Sequence, residues 1–263
     1  MIDTEGLQHL LVEVDGPLLW VTINRPEVRN ALHPPAHREL HRIFDAYAAD
    51  RSLRVAILTG AGARAFCAGS DIKARAQTNA DDYPPTGYAG LTARFDLDKP
   101  VIAAVNGFAL GGGAEIVLAC DMAYAADHAQ FGFPEPRVGL AALGGGGLQR
   151  LARSLPTKFA MDLALTGRRV SAAEAKALGL INDQVPATEL HRKVREVAMM
   201  IVANAPLAVE ASKAIIRDCQ ASPDLAEAIS RSYPAAVRML ESRDAIEGQS
   251  AFVERREPNW QAE

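Results

Sequence analysis

The sequence predicts an α/β protein whose core is a mostly parallel sheet covered by helices. Helix-periodic and strand-like segments alternate through the first half of the chain, and the central strands are apolar along their whole length. The chain has 263 residues, of which 49% are hydrophobic. That composition suits a folded protein with a sizeable core and excludes a disordered one.

The first elements form a hairpin, a helix and a buried strand. Two short β-prone runs, Leu10 to Val14 and Leu18 to Ile23, are separated by an Asp-Gly-Pro turn and predict a β-hairpin. Pro35 to Ala49 carries apolar residues at helical spacing. Val55 to Thr59 is apolar enough for a strand covered on both faces.

The same order repeats further along the chain. Val101 to Val105 predicts a strand, a glycine turn follows, and Ala114 to Cys120 predicts a helix. Met122 to Ala125 then predicts another strand. A strand, helix, strand order favours parallel pairing within one sheet.

Helix signals dominate the last third of the chain. Ser171 to Glu174 is a capping box. Three long amphipathic segments follow: Ala187–Ala203, Pro206–Asp218 and Pro223–Ser242. Ser222 and Pro223 are predicted as the N-cap and the first residue of the last segment, and Pro234 is expected to kink it. We therefore expect a catalytic core over residues 1–200 and a helical region over 201–263.

Charge and cysteine content narrow the class of protein. Lys and Arg number 28 against 32 Asp and Glu, a net charge of −4, so nothing favours a nucleic-acid partner. No run approaches the ~18 apolar residues of a membrane span, and the amino terminus lacks a signal-peptide pattern, so we expect a cytoplasmic protein without a membrane partner. Cys67, Cys120 and Cys219 are widely spaced, which predicts reduced thiols, mostly buried, rather than a disulfide framework or a zinc ribbon.

Several short motifs fall short of the chemistry they suggest. Gly60 to Gly62 follows a strand, but Ala65 stands where a dinucleotide fingerprint needs a further glycine. His37 and His41 share a helical face without the glutamate spacing of a zinc protease, which favours a solvated surface. Ser70 lacks the flanking residues of a nucleophile elbow.

Three glycine-rich or acidic segments carry the chemistry, and each lies near the carboxyl end of a predicted strand. They are Ala65–Lys73, Asn106–Asp121 and Phe131–Glu135. Ligands bind at that edge of an open α/β sheet. Gly111 to Gly113 opens a predicted helix, so its free amides and the helix dipole could stabilise a developing anion. A tight turn would explain one or two glycines but not all three.

Two glutamates accompany these segments. Glu115 lies in the first turn of an apolar helix, where an unpaired charge is costly to bury, so it needs a partner or a wet cavity. Glu135 is fixed between Pro134 and Pro136. Two carboxylates in one dry cleft repel each other, so one keeps its proton and the pair can act as base and acid. A surface position remains an equal alternative for Glu135 alone.

These blocks resemble the signatures of the enoyl-CoA hydratase/isomerase (crotonase) family. The resemblance runs across nearly the whole chain, through blocks that occur in the family's order: Thr22–Pro26, Asn30–Leu32, Phe66–Lys73, Lys99–Asp121, Pro134–Glu135 and Phe252–Pro258. It implies a crotonase-like spiral of ββα units followed by a helical trimerisation region. It also implies an acyl-CoA thioester as substrate and a homotrimer or dimer of trimers as assembly.

The resemblance assigns roles to individual residues. The backbone amides of Ser70 and Gly112 would form an oxyanion hole, and the stretch of Ser70, Asp71, Ile72 and Lys73 would line the CoA pocket. Glu115 and Glu135 match the glutamates that add water to a trans-2-enoyl-CoA in the family, so the resemblance implies an enoyl-CoA hydratase. No metal or redox cofactor is required, since coenzyme A is part of the substrate.

Departures from the family pattern keep alternatives open. After Glu135 the chain has Pro136 and Arg137, and then a glycine-rich stretch through Gly147 without the usual proline. A carnitinyl-CoA dehydratase-like enzyme, an enoyl-CoA isomerase and a noncatalytic acyl-CoA binding subunit are the alternatives. Arg137 could meet a polar acyl group, although a surface position is the more frequent outcome. The segment Ala74 to Asp98 lacks periodicity and is predicted to be a long mobile loop that forms the acyl wall.

Overall fold

The computed structural model describes residues 2–74, 82–222 and 224–263, and it confirms the α/β prediction. Within these ranges the strands are β1 Leu10–Asp15, β2 Leu18–Ile23, β3 Val55–Gly60, β4 Ala65–Cys67, β5 Val101–Val105, β6 Phe108–Leu110, β7 Met122–Ala126, β8 Gln130–Gly132, β9 Arg169–Ser171 and β10 Asp183–Val185. They form a six-stranded sheet in the order β1-β2-β3-β5-β7-β10 and a four-stranded sheet in the order β4-β6-β8-β9.

Helices cover both sheets and make up the carboxyl-terminal part. They are α1 Pro34–Ala49, α2 Gly112–Ala119, α3 Gly147–Ser154, α4 Thr157–Thr166, α5 Ala172–Leu178, α6 Leu190–Val202, α7 Pro206–Ala221, α8 Leu225–Ser230, α9 Pro234–Leu240 and α10 Arg243–Glu254. Short 3-10 turns lie at Pro26–Val28, Tyr88–Gly90, Glu135–Val138 and Ala187–Glu189.

Strand pairing places the ends of several strands at common edges. β1 and β2 form the predicted antiparallel hairpin, and β3, β5 and β7 continue the sheet in parallel from β2. In the smaller sheet β4, β6 and β8 are parallel, and only β9 runs the other way. The carboxyl ends of β4, β6 and β8 therefore meet at one edge, and the three segments that carry chemistry leave from it.

Two hydrophobic layers hold this arrangement. The larger core joins the inner faces of both sheets to α1, and its largest buried side chains include Phe44, Phe66 and Phe131. The other face of the six-stranded sheet packs against α6 through residues such as Ile57 and Val194. Because both faces of its central strands are buried, these strands are apolar throughout.

The helical predictions hold in the main and fail at one boundary. The Ser171 hydroxyl accepts the N–H of Glu174 at 3.2 Å, as the capping box predicts. Pro234 begins a helix of its own, α9, so the last predicted helix is divided there. Ser222 is not an N-cap: it ends α7, and Asp224 caps α8 by accepting two backbone N–H groups. Pro223 lies outside the described residues.

The end of the chain is fastened to the helical region. Asp244, 2% exposed, accepts the backbone N–H groups of Gln261 and Ala262 at 2.7 and 2.9 Å. The indole N–H of Trp260 donates to the Ala203 carbonyl at 2.9 Å. Across the described residues no single helix is long and apolar enough to cross a membrane. Helix α6 together with its preceding turn, and helix α7, reach that length and hydrophobicity only as a pair, and the two are bent by 104° relative to each other.

The segment from Ala74 to Asp98 is better packed than predicted. Residues 75–81 lie outside the described residues. Tyr88, Ala89 and Gly90 are fully buried in a 3-10 turn against α1, so the prediction of a mobile loop is wrong for this part. The three cysteines are unpaired, and Cys67 is buried while Cys120 and Cys219 are half-buried.

Candidate active site

The backbone N–H of Ser70 is turned away from Leu32 in a short parallel bridge. The Leu32 N–H donates to the Gly69 carbonyl at 2.8 Å, and the Asp71 N–H donates to the Leu32 carbonyl at 2.7 Å. In a parallel bridge of this kind the N–H of the intervening residue, Ser70, points to the opposite side. Gly69 lies so close to α2 that a methyl group on it would be 3.2 Å from the Gly112 nitrogen. The structure thus places Gly69, the residue before Ser70, against the Gly112 nitrogen, and the oxyanion hole itself stays a prediction.

Close packing explains why three glycines open helix α2. Gly111 has a φ of +56°, which favours glycine. A methyl group on Gly112 would lie 2.4 Å from Tyr88 Cζ, and one on Gly113 would lie 2.0 Å from the Cys67 carbonyl oxygen. The first N–H groups of a helix have no carbonyl four residues earlier to accept them. The glycines therefore let these donors approach a ligand while the helix packs against its neighbours.

Glu115 lies one turn into α2 and is almost fully buried, at 2% exposure. Its Oε1 accepts the Gly147 N–H at 2.8 Å, which is the partner that its burial requires. Burial raises the pKa of Glu115, while the amides of Gly147 and Gly145 and the guanidinium of Arg150 oppose that rise. Arg150 in turn donates to the carbonyls of Gly145 and Thr92, at 2.7 and 2.6 Å.

Glu135 faces the same helix start from the 3-10 turn after β8. A methyl group on Gly111 would lie 3.0 Å from its Oε1, and its buried Oε2 has no hydrogen-bond partner among the described residues. Burial raises the pKa of Glu135, its own backbone N–H opposes the rise, and the negative charge of Glu115 adds to it. Glu115 is therefore close enough to affect the ionisation of Glu135, which disfavours the surface alternative for Glu135.

The glycine-rich stretch after Glu135 forms the wall around Glu115. A methyl group on Gly147 would lie 2.7 Å from Glu115 Cγ, and one on Gly145 would lie 2.9 Å from Glu115 Cβ. Gly144 faces the Tyr83 hydroxyl, 3.3 Å from a methyl at that position. The part of the chain that departs from the family pattern is thus the part that encloses the buried carboxylate.

Of the four residues predicted to line the CoA pocket, the last two lie on the surface. Asp71 is engaged in an ion pair with Arg25, at 3.0 Å. Ile72 is 65% exposed and Lys73 is exposed beside it. Ser70 is half-buried. The exposed pair follows Ser70 directly in the chain.

His37 corrects one sequence interpretation. The solvated-face prediction is wrong for it, because His37 is buried and its Nδ1 accepts the Ala89 N–H at 2.9 Å. Burial lowers its pKa to about 3, so the ring is neutral. His41 is half-exposed and its Nδ1 lies 3.0 Å from Thr86 Oγ1. His37 shares the face of Leu40 and Phe44 in α1, and that spacing was the available signal.

Arg137 and two further residues complete the surroundings. Arg137 is exposed, and its Nε lies against Gly167, 3.4 Å from a methyl at that position, as the surface interpretation predicts. Sequence reasoning missed Arg150, which braces the glycine-rich wall, and Tyr88, which contacts Gly112. Neither stands in a motif, and Tyr88 belongs to a segment without periodicity.

Comparison with known proteins agrees with this geometry. The sequence model described as enoyl-CoA hydratase/isomerase matches residues 13–263. A carnitinyl-CoA dehydratase of Proteus mirabilis is 44% identical over 261 residues, 96% of this chain and 98% of the relative. The carnitinyl-CoA dehydratase of Escherichia coli K12 is 42% identical over 254 residues, 94% of this chain and 95% of the relative.

Solved structures show the same fold. The crystal structure of an enoyl-CoA hydratase from Mycobacterium marinum has a TM-score of 0.91 and 41% identity, covering 97% of this chain and 99% of its own. An enoyl-CoA hydratase from Mycobacterium tuberculosis has a TM-score of 0.89 and 42% identity, with the same coverage. The chain belongs to the enoyl-CoA hydratase/isomerase family and has the crotonase fold.

Proposed function

We propose that the protein adds water reversibly across the C2–C3 bond of an acyl-CoA thioester, as an enoyl-CoA hydratase does. The observation that supports this most is the pair of glutamates, Glu115 and Glu135, whose pKa values are both raised by burial. Glu115 lies in the first turn of helix α2, and Glu135 Oε1 would lie 3.0 Å from a methyl group on Gly111, at the start of the same helix. Acyl-CoA thioesters as a class of substrate follow from the family.

The environments of the two carboxyls suggest different roles. Glu115 accepts a backbone N–H and lies near Arg150, and both features favour its charged form. Glu135 has an unpartnered oxygen and faces the charge of Glu115, and both features favour its protonated form. In the hydration direction Glu115 takes a proton from water as the oxygen attacks C3, and Glu135 gives a proton to C2. Dehydration runs the same steps in reverse.

The amides of Ser70 and Gly112 are assigned to the thioester oxygen. Attack at C3 moves charge onto that oxygen, and two fixed N–H donors stabilise the enolate-like state more than the ground state. The CoA part would leave past Ser70, Asp71, Ile72 and Lys73. The net change is the addition or loss of one water, with the proton taken by Glu115 balanced by the one given by Glu135, so the proposed reaction needs no redox cofactor or metal, and coenzyme A enters with the substrate.

A carnitinyl-CoA substrate is the second candidate. The relatives that are 42–44% identical over nearly the whole chain carry the name carnitinyl-CoA dehydratase, and that reaction uses the same loss or addition of water. Both candidate functions therefore use the same addition or loss of water, and they differ in the acyl group of the substrate.

Turnover of three substrates tests the proposal. The protein is incubated with crotonyl-CoA, with L-carnitinyl-CoA and with a 3-enoyl-CoA, and the products are identified by mass spectrometry and, for the isomeric enoyl-CoA esters, by chromatography. A gain of one water by crotonyl-CoA supports the hydratase, and a higher kcat/KM for loss of water from L-carnitinyl-CoA supports the second candidate. Conversion of 3-enoyl-CoA to 2-enoyl-CoA alone would indicate an isomerase. Binding without turnover of any of the three would indicate a noncatalytic acyl-CoA binding subunit.

The carboxyl-terminal helices are proposed to join copies of this chain in a homotrimer or a dimer of trimers. Large apolar side chains there are 70–85% exposed in the single chain: Leu225, Ile229, Leu240, Ile246, Phe252 and Val253. An exposed apolar surface of this kind marks an interaction site. Light scattering should give the mass of three or six chains, and Phe252→Glu should reduce it, whereas the surface substitution Arg137→Glu should leave it unchanged.

A further inference from the structure

Tyr88 is a buried residue near the two glutamates that the reaction proposed above does not use. It is 1% exposed, and its ring is held by edge contacts with His37 and Tyr83, at centroid distances of 4.5 and 5.5 Å. Ala89, the next residue, adopts a φ of +56° and donates its N–H to His37. A left-handed conformation at alanine persists only where the surroundings impose it. The backbone around Tyr88 is therefore strongly constrained.

The hydroxyl of Tyr88 points at the helix start that carries the predicted oxyanion hole. A methyl group on Gly112 would lie 2.5 Å from the phenol oxygen, so the hydroxyl is in contact with Gly112 itself. The ionisable neighbours that act on this phenol are Cys67, Tyr83 and Glu115, and Ser70 is the hydroxyl beside it. These residues surround the place where the reacting part of an acyl thioester would bind.

By distance and angle this hydroxyl completes no hydrogen bond among the described residues, although the Ser70 side chain is near enough to lower the pKa of the phenol by hydrogen bonding, against the larger rise from burial. Buried hydroxyls are nearly always paired, and an unpaired one calls for an explanation. Burial holds the pKa of Tyr88 well above its ordinary value, so the group keeps its proton and remains a donor. This donor is fixed beside Gly112 and completes no hydrogen bond with Ser70, so it is available to an acceptor that arrives with the ligand.

We propose that the Tyr88 hydroxyl donates a hydrogen bond to the carbonyl oxygen of the bound acyl thioester, as a third donor beside the amides of Ser70 and Gly112. The proposal rests on the function proposed above. It makes Tyr88 a catalytic residue, because its hydroxyl touches the reacting group. The hydrogen bond strengthens as charge develops on the oxygen, so its loss lowers kcat more than it changes KM.

Two matched tyrosine-to-phenylalanine variants test this. Tyr88→Phe removes only the oxygen and keeps the ring that packs on His37. Tyr47→Phe is the control, because Tyr47 is also fully buried but donates to the Pro100 carbonyl at 2.8 Å, at the opposite ends of the strands. We expect Tyr88→Phe to lose about 10- to 100-fold in kcat with KM changed less than about threefold. Its melting temperature should be unchanged or higher. Tyr47→Phe should melt lower and keep its kcat.

A binding measurement separates this proposal from the reaction itself. The protein is mixed with butanoyl-CoA labelled with carbon-13 at the thioester carbonyl, which cannot be hydrated, and the carbonyl stretch is followed by infrared difference spectroscopy. The unmodified protein should lower that frequency, and Tyr88→Phe should lower it less.

Each result bears on a different claim. An unshifted carbonyl in the unmodified protein overturns the oxyanion hole and the proposed function with it. A shifted carbonyl that is the same in Tyr88→Phe overturns the role of Tyr88 alone, even when kcat falls, because the hydroxyl would then act elsewhere.

Discussion

The two glutamates lie in regions that differ in how firmly they are held. Glu115 belongs to an eight-residue helix, is almost fully buried and accepts a backbone N–H. Glu135 belongs to a four-residue 3-10 turn, is half-buried and leaves one oxygen unpartnered. Burial raises the pKa of both carboxyls, but two amides and a guanidinium oppose the rise at Glu115, whereas the charge of Glu115 adds to it at Glu135. The comparison teaches that local donors, rather than residue type, divide base from acid.

Exchanging each carboxyl for its amide should have the largest effect. Glu115→Gln and Glu135→Gln should each lower kcat for hydration by about 10²- to 10⁴-fold, because each removes a general acid or base. Steady-state kinetics across pH distinguishes the two. Residual activity of Glu115→Gln should lose the limb that rises with pH, and that of Glu135→Gln should lose the limb that falls. The opposite pattern would reverse the assignment of base and acid.

The next largest effect is expected from Gly147→Ala, which should displace the carboxylate of Glu115. Its methyl group would lie 2.7 Å from Glu115 Cγ and 2.8 Å from Oε1, so the carboxylate must move. We expect kcat to fall by about 10- to 100-fold, as a displacement near 1 Å does elsewhere. Gly248→Ala is the control, because its methyl meets only the edge of the Trp260 ring at 3.1 Å. Equal kcat in both variants would show that the wall does not position Glu115.

Arg150→Met should have a smaller effect on the same region. The guanidinium lowers the pKa of Glu115, so its removal should move the rising limb of the pH–rate profile to higher pH. At neutral pH we expect less than about a tenfold loss in kcat. Arg150→Lys keeps the charge and should keep the position of the limb. If both variants move it equally, Arg150 acts by bracing the carbonyls of Gly145 and Thr92 rather than by its charge.

The smallest expected effect is on stability, where Glu135→Gln should raise the melting temperature although it lowers kcat. The pKa of Glu135 is raised on folding, so its contribution to stability is fully present below the unfolded pKa and is lost as pH rises through the folded pKa. Glu135→Gln should therefore melt higher at neutral pH, by roughly 2–4 °C. Calorimetry should show this gain disappear as pH falls below the folded pKa. A gain that persists at low pH would point to packing rather than ionisation.

The part of the site that follows from local chain geometry could be predicted from the sequence. Gly111 to Gly113 and Glu115 lie in one helical turn, so their spacing already implied amides and a carboxylate on one side of a ligand. The hairpin and the central strands could also be predicted, because runs of neighbouring residues in the sequence show which of their side chains are buried. Contacts between distant segments were not. Tyr88 meets Gly112 through a turn without periodicity, and Gly147 reaches Glu115 across 32 positions.

The attachment of the chain end by Asp244 has a practical consequence for handling the protein. The carboxylate is buried and depends on the amides of Gln261 and Ala262, so losing the last three residues would strand a charge inside the helical region. A purification tag that displaces this tail would carry the same penalty. Expression trials should therefore compare tags at both termini, and proteolytic trimming of these residues should register as a drop in the yield of folded enzyme.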